Sequence, residues 1–170
     1  YGNLATFAGW IIPPEKQVVL VLENESDLPA IKTALYNIGL DKIAGHLSGG
    51  IERWVYTGRP AASFETISIH QLKELLEKGG TPVLDNRALY EYKQGHVPGT
   101  ISAPTPDIRH RHSEWVVEKP VYLICNTTNR STTAASLFEQ NGFKQIAVVL
   151  GGTNAWQAAS YSVETGGSQT

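Results

Sequence analysis

Val121-Tyr122-Leu123-Ile124-Cys125-Asn126-Thr127-Thr128-Asn129-Arg130-Ser131 is the stretch that decides the fold of this chain. Its first four residues form a short apolar run rich in β-formers, which reads as a buried strand. From Thr132 the pattern changes: Thr132-Thr133-Ala134-Ala135-Ser136-Leu137-Phe138-Glu139-Gln140-Asn141 reads as a helix stopped by Gly142. The one cysteine of the chain, Cys125, therefore falls in a tight loop between a strand's carboxyl end and a helix's amino end. Backbone N–H groups point outward at such a place and favour negative charge. Arg130 adds a cation five residues on, so the thiolate, the nucleophilic form, is favoured. A lone cysteine elsewhere reads more simply as a small buried apolar residue. The placement tips the reading toward a nucleophile.

Cys-x-x-x-x-Arg-Ser in this setting resembles the active-site loop of rhodanese-like sulfurtransferases. The likeness extends outward through Ile67-Ser68-Ile69 to Leu75-Leu76, Val83-Leu84-Asp85-Asn86-Arg87, Glu91-Tyr92 and Gly95-His96-Val97-Pro98-Gly99. Leu150-Gly151-Gly152-Thr153-Asn154-Ala155-Trp156 is similar to that family's closing motif. The ordered combination, over about residues 66 to 165, is more specific than any one piece. One residue departs from the pattern: Thr128 stands where many loops of that family carry glycine, which makes one loop conformation harder to reach. The resemblance implies an α/β fold, a parallel sheet flanked by helices, and sulfur carried on Cys125 as a persulfide.

In that chemistry Cys125 attacks the outer sulfur of a donor. Loop amides from Asn126, Thr127, Thr128, Asn129, Arg130 and Ser131 would hold the anionic terminal sulfur, and the hydroxyls of Thr127, Thr128 and Ser131 add donors. Arg130 either binds the donor's anionic group or braces the loop against a carboxylate, since its planar fork suits both. Asp85 and Arg87, two apart at a strand end, read as a structural pair. His96, in a turn-rich run, reads as a turn anchor. Arg109-His110-Arg111-His112 reads as a solvated polar loop, with steering of anions to the site as the alternative. No metal-ligand spacing joins the histidines and the cysteine, so neither metal nor cofactor is expected.

Composition narrows the alternatives. A net charge of −2 gives no reason to expect nucleic acid or a membrane surface as partner. A single cysteine makes no internal disulfide, and no apolar run nears the roughly 18 residues of a membrane span, so a reducing cytoplasm is expected. Methionine is absent and the chain opens at Tyr1, so a piece of a longer protein is expected.

Ahead of the matched region, residues 1–16 read as a loop-like approach closed by Pro13-Pro14. Val18-Val19-Leu20-Val21-Leu22 reads as a buried strand. Ser26 or Asp27 then caps a helix spaced by Ile31, Ala34, Leu35 and Ile38 and ended by Gly39. Gly39, Gly49, Gly50 and Trp54 recur about a hundred residues later as Gly142, Gly151, Gly152 and Trp156, an internal repeat. The expectation is a truncated rhodanese-like half over residues 1–57, a linker over 58–66, a complete unit over 67–165 and a tail over 166–170. Leu22 falls at the place of Cys125 and Asp27 at that of Arg130, so the first half is expected to be silent.

A silent unit before an active one resembles the rhodanese modules fused to metallo-β-lactamase-fold persulfide dioxygenases, which would place such a domain upstream. The reaction expected is transfer of a sulfane sulfur from thiosulfate or a low-molecular-weight persulfide to a thiol. Two rivals stand beside it: a non-catalytic binding or regulatory module, and a Cys-based phosphatase or arsenate reductase, whose loop is typically one residue longer. Donor, acceptor and oligomeric state are not legible in the sequence.

Overall fold

The apolar runs become the strands of two parallel sheets. In the computed structural model, residues 2–115 and 120–167 are described. The chain divides into two units, residues 1–63 and 64–170.

In the first unit β1 (Val18–Val21) pairs in parallel with β2 (Ile43–Leu47). Three helices accompany them: α1 (Leu4–Ile11), α2 (Leu28–Tyr36) and α3 (Gly50–Tyr56). Its core gathers Ala8, Leu20, Ile31, Leu35 and Leu40, with Leu4 and Ile12 packed against it. Helix α1 corrects the expectation of a loop over residues 1–16. Leu4, Ala8 and Ile12 are spaced to bury one helical stripe. The prolines act only at the end, where Ile12, before Pro13, turns to an extended φ of −99° and ψ of 117°.

Among the described residues the second unit carries five strands: β3 (Glu65–Ile67), β4 (Val83–Asp85), β5 (Ile101–Ser102), β6 (Val121–Ile124) and β7 (Ile146–Val149). They lie in the order β3-β7-β6-β4-β5, every pair parallel. Every residue of β4 and β7 is buried, which is why Val83-Leu84 and Ile146–Val149 read as apolar runs and not as alternation. Five helices are α4 (Ile69–Lys78), α5 (Leu89–Gln94), α6 (Thr105–Arg111), α7 (Asn129–Gln140) and α8 (Gly152–Ala158). Ser68 and Gln71 close a reciprocal cap at the start of α4. One core cluster joins Ile69 and Leu72 of α4 to Val83, Ile124, Val149 and Trp156. Phe138 of α7 is fully buried and meets Trp115 and Phe143 edge to face.

Three local expectations change. Glu65 and Thr66 are not linker: they pair with Ala147 and Val148 as an edge strand, where β-branched Thr66 and Ile67 are at home. Gly166, placed in the tail, donates its N–H to Lys93 O at 2.8 Å, and residues 168–170 lie outside the described residues. The segment 109–112 is not a solvated loop. It finishes α6 and opens a 3-10 turn, His112–Trp115, with the basic side chains in the last helical turn where the dipole favours them. Arg111 is spent on Asp107 and Glu114.

Candidate active site

Strand β6 ends at Ile124, in the middle of the sheet between β7 and β4. Cys125 follows directly and is 1% exposed. Helix α7 starts three residues earlier than the sequence suggests, so the loop proper is only residues 125–128, and Asn129, Arg130 and Ser131 form the first helical turn. The amides of that turn have no acceptor within the helix. Ser131, the last residue of that turn, reaches the sulfur of the cysteine with its side chain.

Ser131 is fully buried, donates from Oγ to Thr128 O at 2.9 Å and lies 3.4 Å from Cys125 Sγ. Its oxygen accepts from a thiol in this orientation; turned, its proton serves a thiolate. Thr128 has φ −162° and ψ −25°, so the left-handed conformation that favours glycine is not the one adopted by Thr128. Its Oγ1 accepts from Gly151 N at 3.2 Å, so that hydroxyl faces the neighbouring corner. Thr127 and Asn129 are exposed.

Arg130 is bound to a carboxylate 39 residues away in sequence. Its Nη1 and Nη2 reach Glu91 Oε2 and Oε1 at 2.6 and 2.9 Å. Glu91 also accepts from Ala88 N at 2.9 Å and from Asn126 Nδ2 at 3.3 Å. One carboxylate thus ties both ends of the loop, Asn126 and Arg130, to α5. Sequence reasoning missed Glu91, because a glutamate three residues into a helix signals only a cap.

The Arg130 hydrogen bonds hold the Glu91 carboxyl at about 2, against burial, which pushes it up. The Ala88 amide, the Arg130 charge and Asn126 lower it further. Arg130 is raised in turn, chiefly by Glu91. Because the folded value lies below the ordinary 4.5, the pair's stabilisation is fully present above about pH 4.5 and lost as pH falls through 2. The expected contribution is on the order of 3 kcal/mol at neutral pH. Urea unfolding of the native protein and Glu91→Gln should show a gap that is widest above about pH 5 and shrinks toward pH 2. A gap constant across that range would mean the pair is not linked to stability.

The loop is gripped from the other side by the start of α8. Thr153 N donates to Cys125 O at 2.7 Å and Asn154 N to Asn126 O at 3.0 Å. Gly152, at φ +57°, comes so close that a Cβ there would lie 2.1 Å from Cys125 O. The first unit builds the same corner. Gly50, at φ +61°, would place a Cβ 2.6 Å from Leu22 O, and Gly49 N donates to Glu25 Oε1 at 2.9 Å. Trp54 Nε1 reaches Pro60 O and Trp156 Nε1 reaches Ser162 O, each at 2.8 Å. Leu22 thus occupies in one unit the place that Cys125 holds in the other.

Asp85, Arg87 and His96 sit in a separate brace. Arg87 Nε lies 2.9 Å from Asp85 Oδ1 and its Nη2 2.6 Å from Oδ2, both side chains buried, and Nη2 also reaches Gly95 O at 2.8 Å. His96 stacks on Tyr92 with ring centres 3.8 Å apart, pairs its Nδ1 with Tyr92 O and exchanges backbone hydrogen bonds with Glu164. This network ties α5 to β4 and to the segment after α8. None of these contacts is with residues 125–131.

Comparison with known proteins places the site in context. The family model for the rhodanese-like domain matches residues 68–159. The thiosulfate sulfurtransferase GlpE of Pseudoalteromonas translucida is 34% identical over 97 residues, covering 57% of this chain and 92% of that protein. The crystal structure of a rhodanese-related protein from Thermoplasma volcanium is 28% identical with a TM-score of 0.54, covering 59% of this chain and 98% of its own. A thiosulfate sulfurtransferase from Pseudomonas aeruginosa, 20% identical with a TM-score of 0.55, covers 98% of this chain and 36% of its own, a likeness of fold alone. With more than half of its length matched, and with β6 delivering Cys125 to the first turn of α7, this chain belongs to the rhodanese-like domain family.

Proposed function

We propose that the second unit is a sulfurtransferase that moves a sulfane sulfur from thiosulfate or a low-molecular-weight persulfide to a thiol through a persulfide on Cys125. The observation that carries this reading is the seat of the chain's one cysteine at the carboxyl end of β6, against Ser131 Oγ in the first turn of α7. The Cys125 thiolate attacks the outer sulfur of the donor. A new S–S bond forms, the donor's own bond to that sulfur breaks, and sulfite or a thiolate leaves with the electron pair. An acceptor thiolate then attacks the outer sulfur of the persulfide and restores the Cys125 thiolate. While the sulfur is held its charge rests on the terminal atom, beside the helix amides and the Ser131 hydroxyl. A nucleophile 1% exposed suits a donor that presents one small atom.

The first unit is read as a silent rhodanese-like half. Its support is the shared glycine corner with Leu22 in the cysteine's place and Asp27 at the position of Arg130. Intact mass after incubation with thiosulfate, and separately with a small persulfide, tests both parts. The native chain should gain one sulfur, removable by a thiol reductant, and Leu22→Cys should gain no second. No gain from either donor would favour a binding module. Hydrolysis of an aryl phosphate that vanishes in Cys125→Ser would hand the site to the phosphatase reading.

A further inference from the structure

The one cation of the loop is already neutralised. Both terminal nitrogens of Arg130 are committed to Glu91, whose two oxygens carry four hydrogen bonds in all. Both side chains of the pair are largely enclosed, at 18% and 17% exposure. Arg87 is spent on Asp85 and Gly95 O, and Arg111 on Asp107 and Glu114. The loop therefore offers a donor approaching Cys125 a closed ion pair in place of a free guanidinium. For a dianion such as thiosulfate, moving toward a thiolate, that is a poor reception, because three negative charges then gather without a free guanidinium from the loop to offset them. A hydropersulfide of an uncharged thiol brings at most one.

We propose that Glu91 is a donor-specificity and positioning residue: by occupying Arg130 it turns the Cys125 site toward sulfur donors of low charge, hydropersulfides, and away from dianionic ones. The inference rests on the sulfurtransferase reading above. It deepens that reading by assigning the donor class and the residue that selects it. Glu91 acts through Arg130 and touches neither the sulfur nor the donor.

The test compares kcat/KM for thiosulfate with that for the hydropersulfide of an uncharged thiol, in native protein, Glu91→Gln and Glu91→Asp. The native protein should favour the hydropersulfide. Glu91→Gln frees the guanidinium while keeping the side chain's shape, so the thiosulfate-to-hydropersulfide ratio should rise about tenfold, mostly through a lower KM for thiosulfate. Glu91→Asp keeps the charge and should keep the ratio within about twofold of native. If Glu91 only braces the loop, Glu91→Gln lowers both donors together and the ratio stays put, which overturns the proposal. Should Glu91→Gln fail to fold, the native protein still decides. Its KM for thiosulfate should change less than about twofold between roughly 20 and 300 mM salt, whereas a steep rise would reveal an uncompensated cation gripping the donor and overturn the proposal. Failure of both donors to load a sulfur on native Cys125, read by intact mass, would remove the sulfurtransferase reading itself and the proposal with it; a changed ratio on a loaded cysteine speaks to Glu91 alone.

Discussion

Cys125→Ser is expected to abolish persulfide formation and sulfur transfer while leaving the fold in place. The hydroxyl of a serine is a far weaker nucleophile than a thiolate at neutral pH, and it forms no S–S bond. Transfer should fall to background, and no added sulfur should appear on intact mass. The structural cost is small because the replacement is nearly isosteric and inherits a polar neighbour, Ser131 Oγ, at the cysteine's present 3.4 Å. A loss of less than about 1.5 kcal/mol in urea unfolding is expected. Residual transfer above about a tenth of the native rate would count against a covalent intermediate.

Gly152→Ala should be the most damaging single methyl in the second unit. The residue sits at φ +57°, where a side chain is already strained. The new Cβ would also meet Cys125 O at 2.1 Å and both the carbonyl carbon and oxygen of Asn126 at 2.6 Å. All three are backbone atoms, so no rotamer relieves the overlap. Either the start of α8 or the active loop must move, and the hydrogen bond from Thr153 N to Cys125 O goes with it. A loss above about 3 kcal/mol is expected, with sulfur loading reduced even in the folded fraction. Gly142→Ala is the control. It shares a positive φ, +91°, but has nothing within 4 Å, so about 1 kcal/mol is expected from strain alone. Equal losses for the two variants in urea unfolding would show that close approach to the loop is not what Gly152 provides.

Much of the sheet is legible in the sequence because burial on two sides leaves continuous apolar runs, as in Val121–Ile124 and Ile146–Val149. The site is harder. Asn129, Arg130 and Ser131 read as loop because they are polar, yet a helix's first turn takes polar residues readily. Only the fold shows that Ser131 is buried against the sulfur. Helix α1 is hidden by the proline pair that follows it, and α6 by its run of basic residues. The partner of Arg130 is the clearest case. The sequence leaves its two roles open, and nothing in the spacing of Glu91 singles it out among the acidic residues. The chain's path through α5 and β6 brings them together.

The glycine corner bears on how related chains should be sorted. Gly49-Gly50 and Gly151-Gly152 adopt the same left-handed turn, one closing on the carbonyl of Leu22 and the other on that of Cys125. The corner is therefore indifferent to the side chain it abuts: it recognises a backbone. A diagnostic built on the paired glycines and the tryptophan four residues later would score both units alike and report geometry without chemistry. The informative position is the residue whose carbonyl lies under the second glycine. Read there, leucine and cysteine separate a scaffold from a reactive centre in a single letter.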